Sequence, residues 1–417
     1  MKESVSLLFG GIVKKLKGLR TIAVFLLVAV IGMTAGCAKK KTGVWSVNEG
    51  QPNESFFGKN VVYDYPVKFE ECTDAAGIKW QVGYMDVTPQ NANGKVLVLI
   101  HGKGANAGYF GYVMRKALAK GIRVIAPDLP HYGKSIAGNI DKPLSRSLDQ
   151  TREAIYDLVV NKLGVKKAVY LGHSLGGQWV MGYALKYPDA VEKLILESPG
   201  GLEQFRIPMF SPKFINDLAA LKENPIYKKM FDAEFAKTPE AIRLFYYYKM
   251  KDASGKVVKA PLGYFVNDSE YAQFLTEVRV KMITNDFNTV KGKEYYNYVI
   301  TYVRDVFTLG IEMYPKSAYS IYEKYPQIKA PILVLFGKDD AFIPTMVSGM
   351  KKFGLNKGII LPFYKMMKEA GNIPTVKLYS GVGHFPHTDV PDEFSDDVIS
   401  YTLSNRVSGA ETNIDSW

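Results

Sequence analysis

Between residues 95 and 379, short runs of Val, Ile and Leu alternate with helical patterns, and this alternation constrains the fold more than any other property of the chain. Residues 95–100, 122–126, 168–171, 194–196 and 332–336 are such runs. Short continuous apolar runs are the signature of strands buried on both faces of a parallel sheet. The clearest helical pattern lies over 148–163, where Ile155, Leu158, Val159 and Leu163 share one face. Ser147 with Gln150 forms a capping box at its start, and Gly164 supplies a stop. Strand alternating with helix predicts an α/β fold with a mostly parallel sheet, whose ligand sites lie at the carboxyl ends of the strands. Ahead of it, residues 67–70 and 78–87 read as a leading hairpin.

Composition narrows the function classes. The chain has 417 residues, 47% hydrophobic and 23% charged, which excludes a disordered, collagen-like or multi-pass membrane protein. Two cysteines, Cys37 and Cys72, cannot staple a body of this size. Five histidines (His101, His131, His173, His384 and His387) without a C-x-x-C pair argue against a Cys/His metal site. No nucleotide or flavin motif is present, so no cofactor is expected. The net charge of +12 comes with no basic stripe of interleaved aromatics, which argues against nucleic acid.

Residues 1–36 read as targeting. Lys2, Lys14, Lys15, Lys17 and Arg20 form a basic region ahead of the apolar run 22–31, too short to span a bilayer. Thr34-Ala35-Gly36-Cys37 resembles a bacterial lipobox, although Thr34 stands where Leu is usual. That resemblance implies a lipidated Cys37, a tether over 37–60, and Lys39, Lys40 and Lys41 against an anionic membrane surface. The expected location is the bacterial cell envelope, outside the cytosol. An uncleaved anchor, or a secreted form with a Cys37–Cys72 disulfide, are the alternatives.

The alternation stops over 201–325, a stretch with 24 aromatic residues and about twice the aromatic density of the rest. It contains Phe245-Tyr246-Tyr247-Tyr248 and Tyr295-Tyr296-Asn297-Tyr298 in helical, charge-mixed sequence. We expect an inserted helical cap between a first core segment, 61–200, and a second, 326–405; a separate domain packed elsewhere is the alternative. The polar stretch 406–417 is expected to fray.

Gly172-His173-Ser174-Leu175-Gly176 fits G-x-S-x-G. The pentad alone is a weak signal, but it follows the run 168–171 and opens a helical pattern over 175–186, the strand-turn-helix that exposes a serine hydroxyl. Such a hydroxyl needs a base, and the base needs a carboxylate. Asp339 and Asp340 follow the run 332–336, and His384 follows 375–379, giving the chain order serine, acid, histidine.

Here the sequence resembles the α/β-hydrolase family from about residue 94 to 403, cap excepted. The resemblance rests on His101-Gly102-Lys103-Gly104, on Asp128-Leu129-Pro130-His131-Tyr132-Gly133-Lys134-Ser135, on the pentad with Gly177, on the stretch from Gly337 to Pro344, and on Gly383-His384-Phe385-Pro386. It implies Ser174 as nucleophile, His384 as base and Asp340 as acid, the last from the spacing of Gly337, Asp340 and Pro344. Asp339 and His387 are the rival acid and base. The oxyanion hole would use the backbone N–H groups of Leu175 and Lys103. Lys103 is unusual at its position, and its ammonium is expected to face solvent, with a contact to an acidic substrate as the alternative. His101 and His173 are expected to be packed structural imidazoles, and His131 replaces a glycine common in the pattern. The implied activity is hydrolysis of a carboxylic ester with an apolar acyl or alcohol moiety. Carbon–carbon bond hydrolysis, a haloperoxidase-like reaction with the same triad, or a non-catalytic lipid-anchored binder are the alternatives.

Overall fold

The computed structural model describes Phe57 and residues 61–135, 147–203, 222–246, 249–251, 257–259, 270–284, 290–315, 317–340, 342–343 and 357–417. The expected leader, Cys37, the three tether lysines, Tyr247, Tyr248 and Pro344 lie outside the described residues.

Strands β1 (Val67–Thr73) and β2 (Lys79–Val87) form the leading hairpin. Then β3 (Val96–Ile100), α1 (Gly111–Ala119), β4 (Arg123–Pro127), α2 (Leu148–Tyr156), β5 (Ala168–His173), α3 (Leu175–Lys186) and β6 (Val191–Glu197) alternate. After β6 come α4 (Pro225–Phe235), α5 (Pro239–Tyr246), the small ribbon β7 (Lys249–Lys251) and β8 (Val257–Lys259), α6 (Glu270–Ile283) and α7 (Val290–Glu312). The chain returns with β9 (Ile332–Gly337), α8 (Lys357–Glu369), β10 (Thr375–Tyr379), α9 (Pro386–Asp389) and α10 (Pro391–Ser404).

The eight-stranded sheet runs β1-β2-β4-β3-β5-β6-β9-β10. Strand β2 is antiparallel to both neighbours, and every other pair from β4 to β10 is parallel. Strands β5 and β9 are buried at every position, and β3 and β4 at all but the first. Each fully buried Val, Ile or Leu contributes about 1.5–3 kcal/mol relative to exposure, so these central strands are the rigid floor of the molecule. The order also locates a crevice. The crossover from β3 leads to β4 on one side, and the next leads to β5 on the other, so strand order reverses at β3 and the loops leaving β3 and β5 diverge.

Two local expectations are corrected. The helix over 148–163 keeps its Ser147 cap, whose side chain accepts from Gln150 N–H, but α2 ends at Tyr156 and widens into a π-helical turn over Asp157–Lys162. There the Leu163 N–H reaches the Leu158 carbonyl, five residues back, and Leu163 is only half-buried. The stretch 406–417 does not fray. Glu411 exchanges two backbone hydrogen bonds of 2.8 Å with Val376 in β10, and Ile414 is fully buried. Ile414, the backbone bridge, the Tyr364 hydroxyl donating to Thr412 O at 3.1 Å and an ion pair of Lys368 with Asp415 hold a segment whose average polarity suggested otherwise. Cys72 is buried as a free thiol, and burial pushes its pKa up to about 12.

The helices inserted after β6 pack through their aromatics. Phe235 stacks on Phe231 and on Tyr295, joining α4 to α7. A buried ion pair ties α7 to the core: Arg152 of α2, wholly inaccessible, donates to Glu312 at 2.6 and 3.0 Å.

Candidate active site

Strand β5 ends at the turn that carries Ser174. The serine has φ 56° and ψ −118°, a left-handed conformation that a non-glycine residue adopts only when its surroundings enforce it. The surroundings here are backbone: Ser174 N–H donates to Glu197 O at 2.9 Å, and Ser174 O accepts from Gly177 N–H at 2.9 Å and Gly200 N–H at 2.8 Å. Sequence allows the turn because a Cβ on Gly172 would stand 2.1 Å from Gly176 O, and one on Gly176 would stand 2.4 Å from Ile100 O. Leu175 then opens α3, where a helix leaves its first N–H groups without intrahelical partners.

The expected acid and base meet. His384 Nδ1 lies 2.8 Å from Asp340 Oδ2, with both side chains buried. Asp340 Oδ1 accepts from Phe342 N–H at 2.8 Å and Ile343 N–H at 2.9 Å, so both oxygens are committed and the carboxylate cannot rotate freely. As an acceptor-only group it assigns the imidazole proton to Nδ1 and leaves Nε2 as the acceptor. The two loops are interlocked, since Lys338 N–H donates to Tyr379 O and Asp339 N–H to Val382 O. Asp339 itself is exposed.

Ser174 and His384 line one cleft together with Gly102, Lys103, His173 and Tyr302. The loop after β3 runs beside the serine: a Cβ on Gly102 would lie 3.1 Å from Ser174 Cβ. Lys103 departs from its expected exposure. Its ammonium sits 3.4 Å from the centroid of Tyr302 in α7, and burial lowers its pKa. Burial alone would raise the Tyr302 hydroxyl, but Lys103, Lys237 and Arg279 together outweigh it and bring the group down to about 7.

The other histidines are structural. His173 Nε2 donates to His384 O at 2.9 Å, and its Nδ1 accepts from the Tyr109 hydroxyl at 3.0 Å, which in turn accepts from Gly102 N–H at 2.8 Å. This chain fixes the backbone of the His384 loop against that of the β3 loop, with His173 held neutral by burial. His101 Nε2 accepts from Leu129 N–H at 2.9 Å, and burial lowers its pKa to about 4. His131 takes φ 73°, in the left-handed region that favours glycine, with its ring against Trp80. His387 does not touch Asp340; its Nδ1 and backbone N–H both meet Glu197 Oε1, at 2.7 and 2.9 Å.

Glu197 was not singled out from the sequence. It ends β6, receives the serine's N–H on its carbonyl and holds His387 with its carboxylate, so one residue couples the turn at 174 to the loop at 384. The available signal was a lone acid closing the apolar run 194–196. Glu203 was missed too; its carboxyl is pushed up to about 7 by burial and by the charge of Asp340. Among the described residues no cluster of three or more His, Cys, Asp or Glu is arranged to hold a metal ion.

The sequence profile described as alpha/beta hydrolase fold matches residues 95–371, about two thirds of the chain. The chain belongs to the α/β-hydrolase fold family. Among its α/β-hydrolase relatives, a 2-hydroxy-6-oxo-6-phenylhexa-2,4-dienoate hydrolase of Burkholderia cepacia is 29% identical over 256 residues, covering 60% of this chain and 73% of that one. A protein of the same name from Comamonas testosteroni is 24% identical over 305 residues, covering 72% and 85%. Among solved α/β structures, a probable hydrolytic enzyme of Pseudomonas aeruginosa superposes with a TM-score of 0.56 at 23% identity, over 81% of this chain and 95% of that one. A thermophilic esterase of Thermogutta terrifontis does so with a TM-score of 0.53 at 16% identity, over 81% and 98%. These last two show the common fold.

Proposed function

We propose that this α/β hydrolase is a serine hydrolase that cleaves carboxylic esters with an apolar acyl or alcohol moiety. The observation that carries the reading is the fixed 2.8 Å contact of His384 Nδ1 with Asp340, in a cleft shared with the strained Ser174. Ser174 attacks the ester carbonyl as His384 Nε2 takes its proton, and Asp340 stabilises the imidazolium that forms. The oxyanion is received by the N–H groups of Leu175 and Lys103, which a mobile donor could match only with reorganisation. His384 then protonates the leaving alcohol, and water enters through the same base to release the acid. Leu275, Phe342 and Phe385 in the cleft wall support an apolar moiety.

Labelling with a fluorophosphonate tests the reading: one adduct is expected on Ser174 and none on Ser174→Ala, whose fold is retained. An unlabelled wild-type protein would favour a binding role for the cleft.

A second reading is favoured by the two relatives named above, both called hydrolases of a 2-hydroxy-6-oxo-dienoate. In it the same residues cleave a carbon–carbon bond beside a ketone. Side-by-side kinetics on 4-nitrophenyl butyrate and on such a dienoate separate the two, and exclusive turnover of the dienoate would replace the ester reading.

We further propose envelope anchoring through lipidated Cys37, with Lys39, Lys40 and Lys41 against the bilayer. A diacylglycerol mass increment on Cys37, and release of Cys37→Ala into the soluble fraction, are the expected results.

A further inference from the structure

Lys103 occupies an unusual position for a cation. Its side chain leaves the same loop whose backbone runs beside Ser174, and it lines the cleft together with Ser174 and His384. Its ammonium lies on the face of Tyr302, and no carboxylate oxygen of the described residues lies within ion-pair distance of it. Two further cations approach the same ring, Arg279 at 4.9 Å and Lys237 at 6.0 Å. The carboxylate nearest to those two, Glu234, ion-pairs with both of them and not with Lys103. The Tyr302 oxygen also accepts a hydrogen bond from Lys103, but it is shared with Lys237 and Arg279 and offsets only part of the hydration that burial removes from the ammonium. The cleft therefore has one electropositive wall, made by Lys103, alongside apolar surface from Phe342 and Phe385.

We propose that the substrate carries a carboxylate, and that the Lys103 ammonium receives it while the scissile carbonyl lies at Ser174. The inference rests on the ester-hydrolase reading and adds the substrate class to it. A lysine ammonium reaches on the order of 6 Å from its own backbone, so the carboxylate and the reacting carbonyl stand a few bonds apart. A short dicarboxylic monoester satisfies that spacing. Lys103 is then a specificity residue through its side chain, independent of its backbone N–H.

The test compares monoethyl glutarate with its neutral isostere ethyl pentanoate in a pH-stat at pH 8. Wild-type kcat/KM is expected to favour the anionic ester more than tenfold. Lys103→Met should cut that ratio at least fivefold, chiefly through KM, and Lys103→Arg should restore most of it. A wild-type preference below tenfold, or a smaller fall in Lys103→Met, overturns the proposal. Calorimetric titration of Ser174→Ala with monoethyl glutarate reads the subsite without turnover. Binding should weaken at least fivefold on adding Lys103→Met, and absent or unchanged binding overturns the proposal as well. If binding behaves as expected but Ser174 takes no fluorophosphonate, the anion subsite stands and the serine-hydrolase reading fails. If Ser174 is labelled and ethyl pentanoate is turned over without charge preference, the subsite alone fails.

Discussion

Replacing Asp340 by Asn should disable the protein through a single proton. Asp340 Oδ1 accepts from two backbone N–H groups, of Phe342 and Ile343. In the Asp340→Asn variant the amide oxygen must take that place, since an NH₂ there would face two donors. The NH₂ is thereby turned toward His384 Nδ1, 2.8 Å away, and donates to it. Nδ1 becomes the acceptor, the imidazole proton moves to Nε2, and the ring can no longer take a proton from Ser174. Loss of the correct tautomer in such a triad costs about ten-thousandfold in kcat, equivalent to about 5.4 kcal/mol of barrier at 1.36 kcal/mol per tenfold. Every hydrogen bond to the backbone survives, so unfolding free energy should shift by less than about 1 kcal/mol. Steady-state hydrolysis of 4-nitrophenyl butyrate and thermal unfolding measure the two quantities. Asp339→Asn, at an exposed position, should stay within about twofold of wild type. A loss below tenfold in Asp340→Asn, or an equal loss in both variants, would refute the argument.

Other perturbations have equally definite outcomes. Arg152→Met strands the Glu312 carboxylate in a dry interior, and chemical denaturation should show a loss of about 3–5 kcal/mol; a change under 1 kcal/mol would mean that water reaches the pair. Gly176→Ala drives a methyl to 2.4 Å from Ile100 O, which should abolish fluorophosphonate labelling and lower the melting temperature. Tyr302, brought down to about 7, should give a rise in 295 nm absorbance as pH increases through that value, missing in Tyr302→Phe and displaced upward in Lys103→Met. Its folded value lies below the unfolded 10.0, so ionisation adds stability that is full above pH 10 and is lost as pH falls to 7. A titration identical with and without Tyr302 would remove that assignment.

The central sheet was legible because strands buried on both faces leave no room for polar residues, and the runs at 95–100, 168–171 and 332–336 show it. The turn at Ser174 was legible for a related reason: backbone within 2.4 Å of two positions admits only glycine there. The pairing of Asp340 with His384 required the family's spacing, because local sequence does not choose between Asp339 and Asp340. What stayed hidden depends on contacts distant along the chain. Glu197 and His387 are 190 residues apart, and Lys103 meets a tyrosine of a helix whose docking no local pattern encodes. The segment 406–417 was misread for the opposite reason, since mean polarity conceals one buried Ile414.

That last segment has a consequence for how the molecule behaves among its own copies. Strand β10 ends the sheet, and a parallel strand at an end offers a row of unsatisfied amides and carbonyls to any passing chain. The antiparallel bridge between Val376 and Glu411 occupies both groups of Val376 from within. The protein thus carries its own guard against strand addition at this end, and deleting 408–417 should increase concentration-dependent self-association relative to the full chain.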